Sequence, residues 1–146
     1  MAKRQVNSTI YSQFVYRKIG AVGQAVYFYF SYCELSNCAG MYKFDLDKMA
    51  SELDLDVGEL IERVKELQDK DFVQWDEEHN IILVKDFTVE NGYHVQFSNN
   101  AKSIVNTLKT YHYSPLSRMY FEEMLPRSGK PLKTYLENAG KDLGWS

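Results

Sequence analysis

Two β-rich runs, Phe72-Val73-Gln74-Trp75 and Ile81-Ile82-Leu83-Val84-Lys85, flank five polar residues, Asp76-Glu77-Glu78-His79-Asn80. Such runs about a short polar loop close into an antiparallel hairpin. A hairpin alone is only marginally stable in water. It needs apolar faces to cover it, and the preceding residues provide them.

Residues 57–70 place Leu60, Ile61, Val64 and Leu67 at helical spacing, and residues 46–53 do the same with Leu46, Met49, Ala50 and Leu53. Asp45 is a good N-cap for the first of these helices, and Asp54-Leu55 is a tight turn between them. Asp56 caps the second, with Glu59 three residues on completing an acidic capping box. Upstream, Met41-Tyr42-Lys43-Phe44 alternates and reads as a short strand, the third strand of a small sheet. A loop over 34–40 separates it from a helix over 22–33. Ala25, Val26, Tyr29, Phe30 and Cys33 share one face of that helix, while Tyr27, Phe28 and Tyr32 cover the others. A helix apolar nearly all round is a central, buried one.

The order helix, strand, helix, turn, helix, hairpin is that of a winged helix-turn-helix. Three further helices are expected behind it. One over 100–111 turns Ala101, Ile104, Val105 and Leu108 inward, after turn signals at Asn91-Gly92 and Ser98-Asn99-Asn100. The next has Ser114 as cap, Pro115 at its first position, and Leu116, Met119, Tyr120 and Met124 on its apolar face. The last starts at Pro131, packs through Leu132, Tyr135, Leu136 and Ala139, and stops at Gly140. The fold class is therefore α+β, mainly α. A winged helix-turn-helix domain over 21–98 follows a basic segment over 1–20 and precedes a helical extension over 99–146. The first segment holds a short amphipathic helix through Ile10, Phe14, Val15 and Ile19.

Charge divides the same way. Residues 1–20 carry +4, residues 21–98 carry 6 basic and 16 acidic side chains, and residues 99–146 carry +3, within a formal net charge of −3. Phosphate contacts need Lys and Arg, so nucleic acid should favour the ends. The helix over 57–70 would be the groove-reading one. Its outward residues are Gly58, Glu59, Glu62, Arg63, Lys65, Glu66 and Asp69. Arg63 and Lys65 could bond guanine, and Glu59 could accept from cytosine. Equally, Glu59, Glu62, Glu66 and Asp69 suit a solvated face or a contact with a basic protein. The loop over 76–80, with three acids and a histidine, is a poor grip on phosphate.

In the extension, Lys102, Asn106, Lys109 and Tyr113 sit opposite the apolar stripe of their helix, and Tyr111-His112-Tyr113 interleaves aromatic with basic groups. That combination can stack single-stranded bases. Arg127, Lys130 and Lys133 add charge nearby, and the alternative is an ordinary solvated face.

The segments AVYFYFSYCELSNCAGMYKF (25–44), VKELQDKDFVQWDEE (64–78) and IILVKDF (81–87) resemble the N-terminal winged-helix domain of phage replication-initiation proteins, the DnaD-like or replisome-organiser group. The likeness lies in a packed helix, an Asn-containing loop, a Gly-hydrophobic-Tyr strand and a hairpin that opens at Asp71-Phe72. It implies a DNA-binding protein of replication initiation. Its partners would be duplex or single-stranded DNA and a replicative helicase, its loader or another basic protein; the aromatic-rich helices and the tail are compatible with a homodimer.

Nothing in the chain signals catalysis. No Gly-rich loop precedes a Lys-Ser or Lys-Thr pair, so no NTPase is indicated. His79, His94 and His112 lack ligand spacing, and Cys33 and Cys38 read as small buried apolar residues of a reducing compartment, so no metal or other cofactor is expected. Glu122 and Glu123 are adjacent and diverge on a helix. The opening MAKRQVNST has no apolar run behind it, so the expected location is cytoplasmic, without membrane contact.

Overall fold

The computed structural model describes residues 9–94 and 98–145. Lys3 and Arg4 of the basic N-terminal segment lie outside them. The elements in chain order are α1 (Ile10–Tyr16), α2 (Ala21–Tyr32), β1 (Met41–Lys43), α3 (Leu46–Leu53), α4 (Val57–Asp69), β2 (Val73–Asp76), β3 (Ile81–Val84), α5 (Phe87–Glu90), α6 (Ser98–Thr110), α7 (Pro115–Met124), a 3-10 turn (Leu125–Arg127) and α8 (Lys130–Leu143). The chain is mainly helical, with one three-stranded antiparallel sheet ordered β1-β3-β2.

The hairpin pairs Trp75 with Ile82 and Val73 with Val84, and β1 joins the far edge of β3 through Met41 and Leu83. All four β3 residues are buried, so this central strand is covered on both pleat faces. Residues on both faces of a strand can be apolar only when both are covered, which is why β3 reads as an unbroken apolar run. Helix α2 packs on α4 and touches β3, while β2 contacts both α4 and α7. Helices α6 and α8 lie along one another, and Tyr120, Leu132 and Leu136 belong to the same core as Phe30, Leu60 and Ile82. The C-terminal helices thus share the core of the first unit instead of standing apart.

Local chemistry explains most of the boundaries. The Asp45 carboxylate accepts from the backbone N–H groups of Asp47 and Lys48 at 2.9 and 3.2 Å, which caps α3. Asp54 closes α3 in the left-handed region, φ 55°, and opens the turn into α4. Ser114 caps α7 by accepting from the Leu116 N–H at 3.3 Å, with Pro115 in the first turn. Arg17 donates to the Lys70 carbonyl at 2.7 Å, satisfying a free acceptor at the end of α4, and its guanidinium lies 5.0 Å from the Phe72 ring centroid.

Several expectations need correction. Asp56 is the N-cap residue of α4, yet its side chain makes no capping bond, so no box forms with Glu59. Both carboxylates are exposed, where water competes for them. Ser98-Asn99-Asn100 is the first turn of α6, not a free turn, consistent with the preference of Ser and Asn for helix starts. Gly140 does not stop α8. The helix runs on to Leu143 and ends at Gly144, φ 75°. Gly140 is buried, and a Cβ there would sit 2.6 Å from Phe121 Cζ, so the glycine lets α8 approach α7. Val15 is 78% exposed and Met119 39% exposed, and Ala25 also faces outward. Tyr27 and Phe121 are buried in their stead, because α2 and α7 are each covered from a side their apolar stripes did not reveal. Helix α5 was not foreseen, since four residues show no periodicity.

Candidate functional site

The outer face of α4 is made by sequence spacing alone. Leu60, Val64 and Leu67 are buried against the core, which turns Glu59, Glu62, Lys65 and Asp69 to solvent. Arg63 and Glu66, expected to point outward with them, are half-buried beside α2. The Glu66 carboxylate receives Arg63 at 3.4 Å and Lys70 at 3.4 Å. Its Oε1 also lies 3.5 Å from where a Cβ on Gly23 would be. Arg63 reaches Glu62 as well, at 3.8 Å, and Lys65 pairs with Glu77 of the hairpin loop at 3.8 Å. Both bases of this helix are therefore already matched by carboxylates, whereas Glu59 and Asp69 have no ion pair among the described residues.

The hairpin loop is anchored rather than free. Asp76 is 9% exposed. Its Oδ2 accepts from the Ser114 hydroxyl at 2.6 Å and faces His79 Nδ1 at 2.8 Å, while Oδ1 accepts from the His79 N–H at 3.3 Å. Burial alone would raise the Asp76 pKa, but the hydrogen bonds from Ser114 and His79 outweigh it and hold the carboxyl below its ordinary value. The His79 ring meets the Tyr113 ring edge-on at 4.9 Å. Asn80 donates to the Phe44 carbonyl at 2.6 Å, tying the loop to the residue after β1. Only Glu77 and Glu78 of the loop are exposed, so the end presented to solvent is acidic. Ser114, Asp76 and His79 have the composition of a nucleophilic triad without its geometry. The serine is 2% exposed and donates its hydrogen bond to the aspartate, so its hydroxyl is not paired with the imidazole that would act as base in a triad.

On α6, Lys102 and Asn106 are exposed, and with Asn99, Ser103 and Thr110 they line an open polar groove bounded by Asn37 and Tyr111. Lys109, on the same helix, pairs with Asp142 at 3.4 Å. The aromatic trio does not form a stacking row. The Tyr111 hydroxyl accepts from the Lys43 N–H at 3.2 Å, and Tyr113 lies against His79, its ring at 74° to that of Tyr111. Arg127 stands elsewhere, bridging Asp86 at 2.9 Å and Glu123 at 3.3 Å. Lys130 and Lys133 are exposed on α8, with no ion pair among the described residues. Of the basic candidates, then, Lys102, Lys130 and Lys133 are the ones without a carboxylate partner.

A buried polar chain joins the two halves. Thr88 Oγ1 donates to the Cys38 carbonyl at 2.8 Å, so the 2.6 Å contact with Tyr120 must be donated by the tyrosine. Burial raises the Tyr120 pKa, first of its causes, and keeps that phenol a donor. No disulfide joins Cys33 and Cys38, and among the described residues no group of His, Cys, Asp and Glu could hold a metal. Nor is any helix among them long and apolar enough to cross a membrane.

One surface had no sequence signal. Tyr11 of α1 packs its ring 5.9 Å from Phe28 of α2, and Phe28 stacks on Tyr32 at 6.0 Å. Beside that ridge runs a cleft between α2 and α3. The aromatic content of α2 was legible, but which rings stay at the surface depends on where α1 lands. Comparison with protein-family models, curated proteins and solved structures finds no match to this chain.

Proposed function

We propose that this chain is a winged-helix binding module that docks a basic protein through the outer face of α4. The element order from α2 to β3 and the strand order β1-β3-β2 support the winged-helix reading. The observation that carries the docking surface is the state of its charges. Arg63 and Lys65 are matched by Glu62, Glu66 and Glu77, and Glu59 and Asp69 are left in surplus. Phosphates brought to this face would meet carboxylates, whereas Lys and Arg of a protein would be steered to it. The resemblance to replisome organisers supplies the class of partner, a replicative helicase or its loader.

The test is the double variant Glu59→Lys/Glu62→Lys, mixed with candidate helicases and loaders. Capture by the parent and loss in the variant, with an unchanged melting temperature, is the expected result. A complex that survives the charge reversal removes α4 from the interface.

A second reading has its own observation. The α6 groove sets Lys102 among Asn99, Ser103 and Asn106, which suits the backbone and base edges of single-stranded DNA. Fluorescence anisotropy with labelled oligonucleotides tests it. Binding that weakens with salt and on Lys102→Glu supports the groove, and binding indifferent to both excludes it.

A further inference from the structure

The cleft between α2 and α3 is apolar within and acidic at its edge. Phe28, Tyr29 and Leu53 line it, and Leu35, 45% exposed, stands at its mouth. Glu34 and Glu52 flank the same mouth, against a single Lys48 that is already 3.8 Å from Glu52. The Tyr29 phenol reports this setting: burial first, then the charge of Glu52 with smaller contributions from Cys33 and Glu34, pushes it up to about 12. The apolar surface continues past the cleft, across Phe28 to Tyr11 and on to Val15, one helical turn further along α1. Scattered apolar residues on a surface are ordinary, but a contiguous run rimmed by charge marks a contact.

We propose that this cleft and the adjoining ridge dock an amphipathic segment of a partner protein, apolar on one side and carrying lysine or arginine at its flank. The commitment to a basic flank comes from charge complementarity. A second copy of this chain docked through the same face would bring its own Glu34 and Glu52 to the mouth, and like charges oppose that pairing. An apolar helix face laid in a groove buries the aromatic floor, while its flanking cations meet the two glutamates. The surface is distinct from the α4 face, and the proposal goes beyond the function argued above.

The probe is a synthetic amphipathic peptide of about fourteen leucines and lysines, long enough for four helical turns. Its leucine–glutamate counterpart is the control. Each is titrated into the full chain, labelled with nitrogen-15, and read by amide shifts. The expected result is saturable movement of the amides of Phe28, Tyr29, Tyr32, Leu35 and Leu53 with the lysine peptide only. Leu35→Glu should weaken binding about tenfold, the scale of burying the exposed half of one leucine. Glu34→Lys/Glu52→Lys should weaken it severalfold, and because neither side chain is in the core it keeps the test open should Leu35→Glu unfold.

Equal binding of both peptides would overturn the basic chemistry. Absence of binding, or binding unmoved by these variants, would overturn the site. Concentration-dependent self-association abolished by Leu35→Glu would give the cleft to a second copy and overturn the proposal. Glu59→Lys/Glu62→Lys must leave the titration unchanged. If it alone removes binding, the peptide sits on α4, so this proposal fails while the α4 reading stands.

Discussion

Ser114→Ala tests the anchoring of the hairpin. The hydroxyl does two things: it donates to buried Asp76 Oδ2 at 2.6 Å, and it accepts from the Leu116 N–H at 3.3 Å as the cap of α7. A hydrogen bond to a charged group contributes roughly 1.5–3 kcal/mol, and a lost serine cap costs about 1 kcal/mol. The two share one oxygen and will not add in full, so the variant should lose about 2–4 kcal/mol. For a chain of this size each kcal/mol moves the melting temperature by about 2–4 °C, giving a drop of roughly 4–16 °C at neutral pH.

The pH dependence sharpens this test. The folded pKa of Asp76 lies below its unfolded value, so its contribution is present above the unfolded pKa and is lost as pH falls through the folded one. Ser114 is the largest of the contacts that lower it. The gap between parent and variant should therefore be full at pH 5–7. It should shrink towards the cap's share of about 1 kcal/mol as pH falls below the ordinary aspartate value of about 3.9 and on through the lowered folded pKa. Urea unfolding at several pH values reads both quantities. A loss under about 0.5 kcal/mol at pH 7, or a gap that stays constant in acid, would refute the argument that Ser114 holds a charged Asp76.

Gly140→Ala should lower stability by about 1–2 kcal/mol, because the new methyl would meet the buried Phe121 ring at 2.6 Å and outweigh the gain in helix propensity. Thermal melts that show a more stable variant would mean the ring has room to move. Thr88→Val keeps the shape but removes the acceptor of the Tyr120 hydroxyl and the donor to the Cys38 carbonyl, for an expected loss of about 2–3 kcal/mol in urea unfolding. A neutral result would mean that water replaces the threonine.

What the chain spells locally was legible, and what depends on distant partners was not. Helix α3 was bounded at both ends by its own residues, because Asp45 caps through groups two and three positions on and its stripe repeats at helical spacing. The hairpin followed from two β-rich runs about a polar loop, and its third strand β1 from the alternation of residues 41–44. Gly140 was misread because the same residue ends a helix or admits a neighbour, and only the neighbour, Phe121, decides which. Asp76 and Ser114 lie 38 positions apart, and each looked complete as a loop acid and a cap. The candidate site was half legible for the same reason. The acidity of α4 stands in its composition, and the Arg63–Glu66 pair is an ordinary i,i+3 spacing. That Lys65 is matched by Glu77 requires the hairpin to have folded beside the helix.

The two functional readings part most clearly in their dependence on salt. On the α6 reading, few of the candidate site bases are free to meet phosphate. Lys109 and Arg127 already hold Asp142, Asp86 and Glu123, while Lys102, Lys130 and Lys133 have no carboxylate among the described residues. Three neutralised phosphates on a single strand correspond to a slope of about −2 in log affinity against log salt. The acidic α4 face and loop lie on the same molecule, and at low salt their repulsion reaches further than at 0.1 M, where screening limits it to about 10 Å. Repulsion of that kind makes the slope shallower still. Anisotropy titrations over a tenfold range of salt should thus give a slope between about −2 and zero for single-stranded DNA. A slope near −5 or steeper would need more cations than these three lysines supply. The further cations would have to come from Lys18, Lys43 and Lys141, exposed and without an ion pair among the described residues, or from opening of the ion pairs of Arg63 and Lys65, which alone would undo the charge balance assigned to α4.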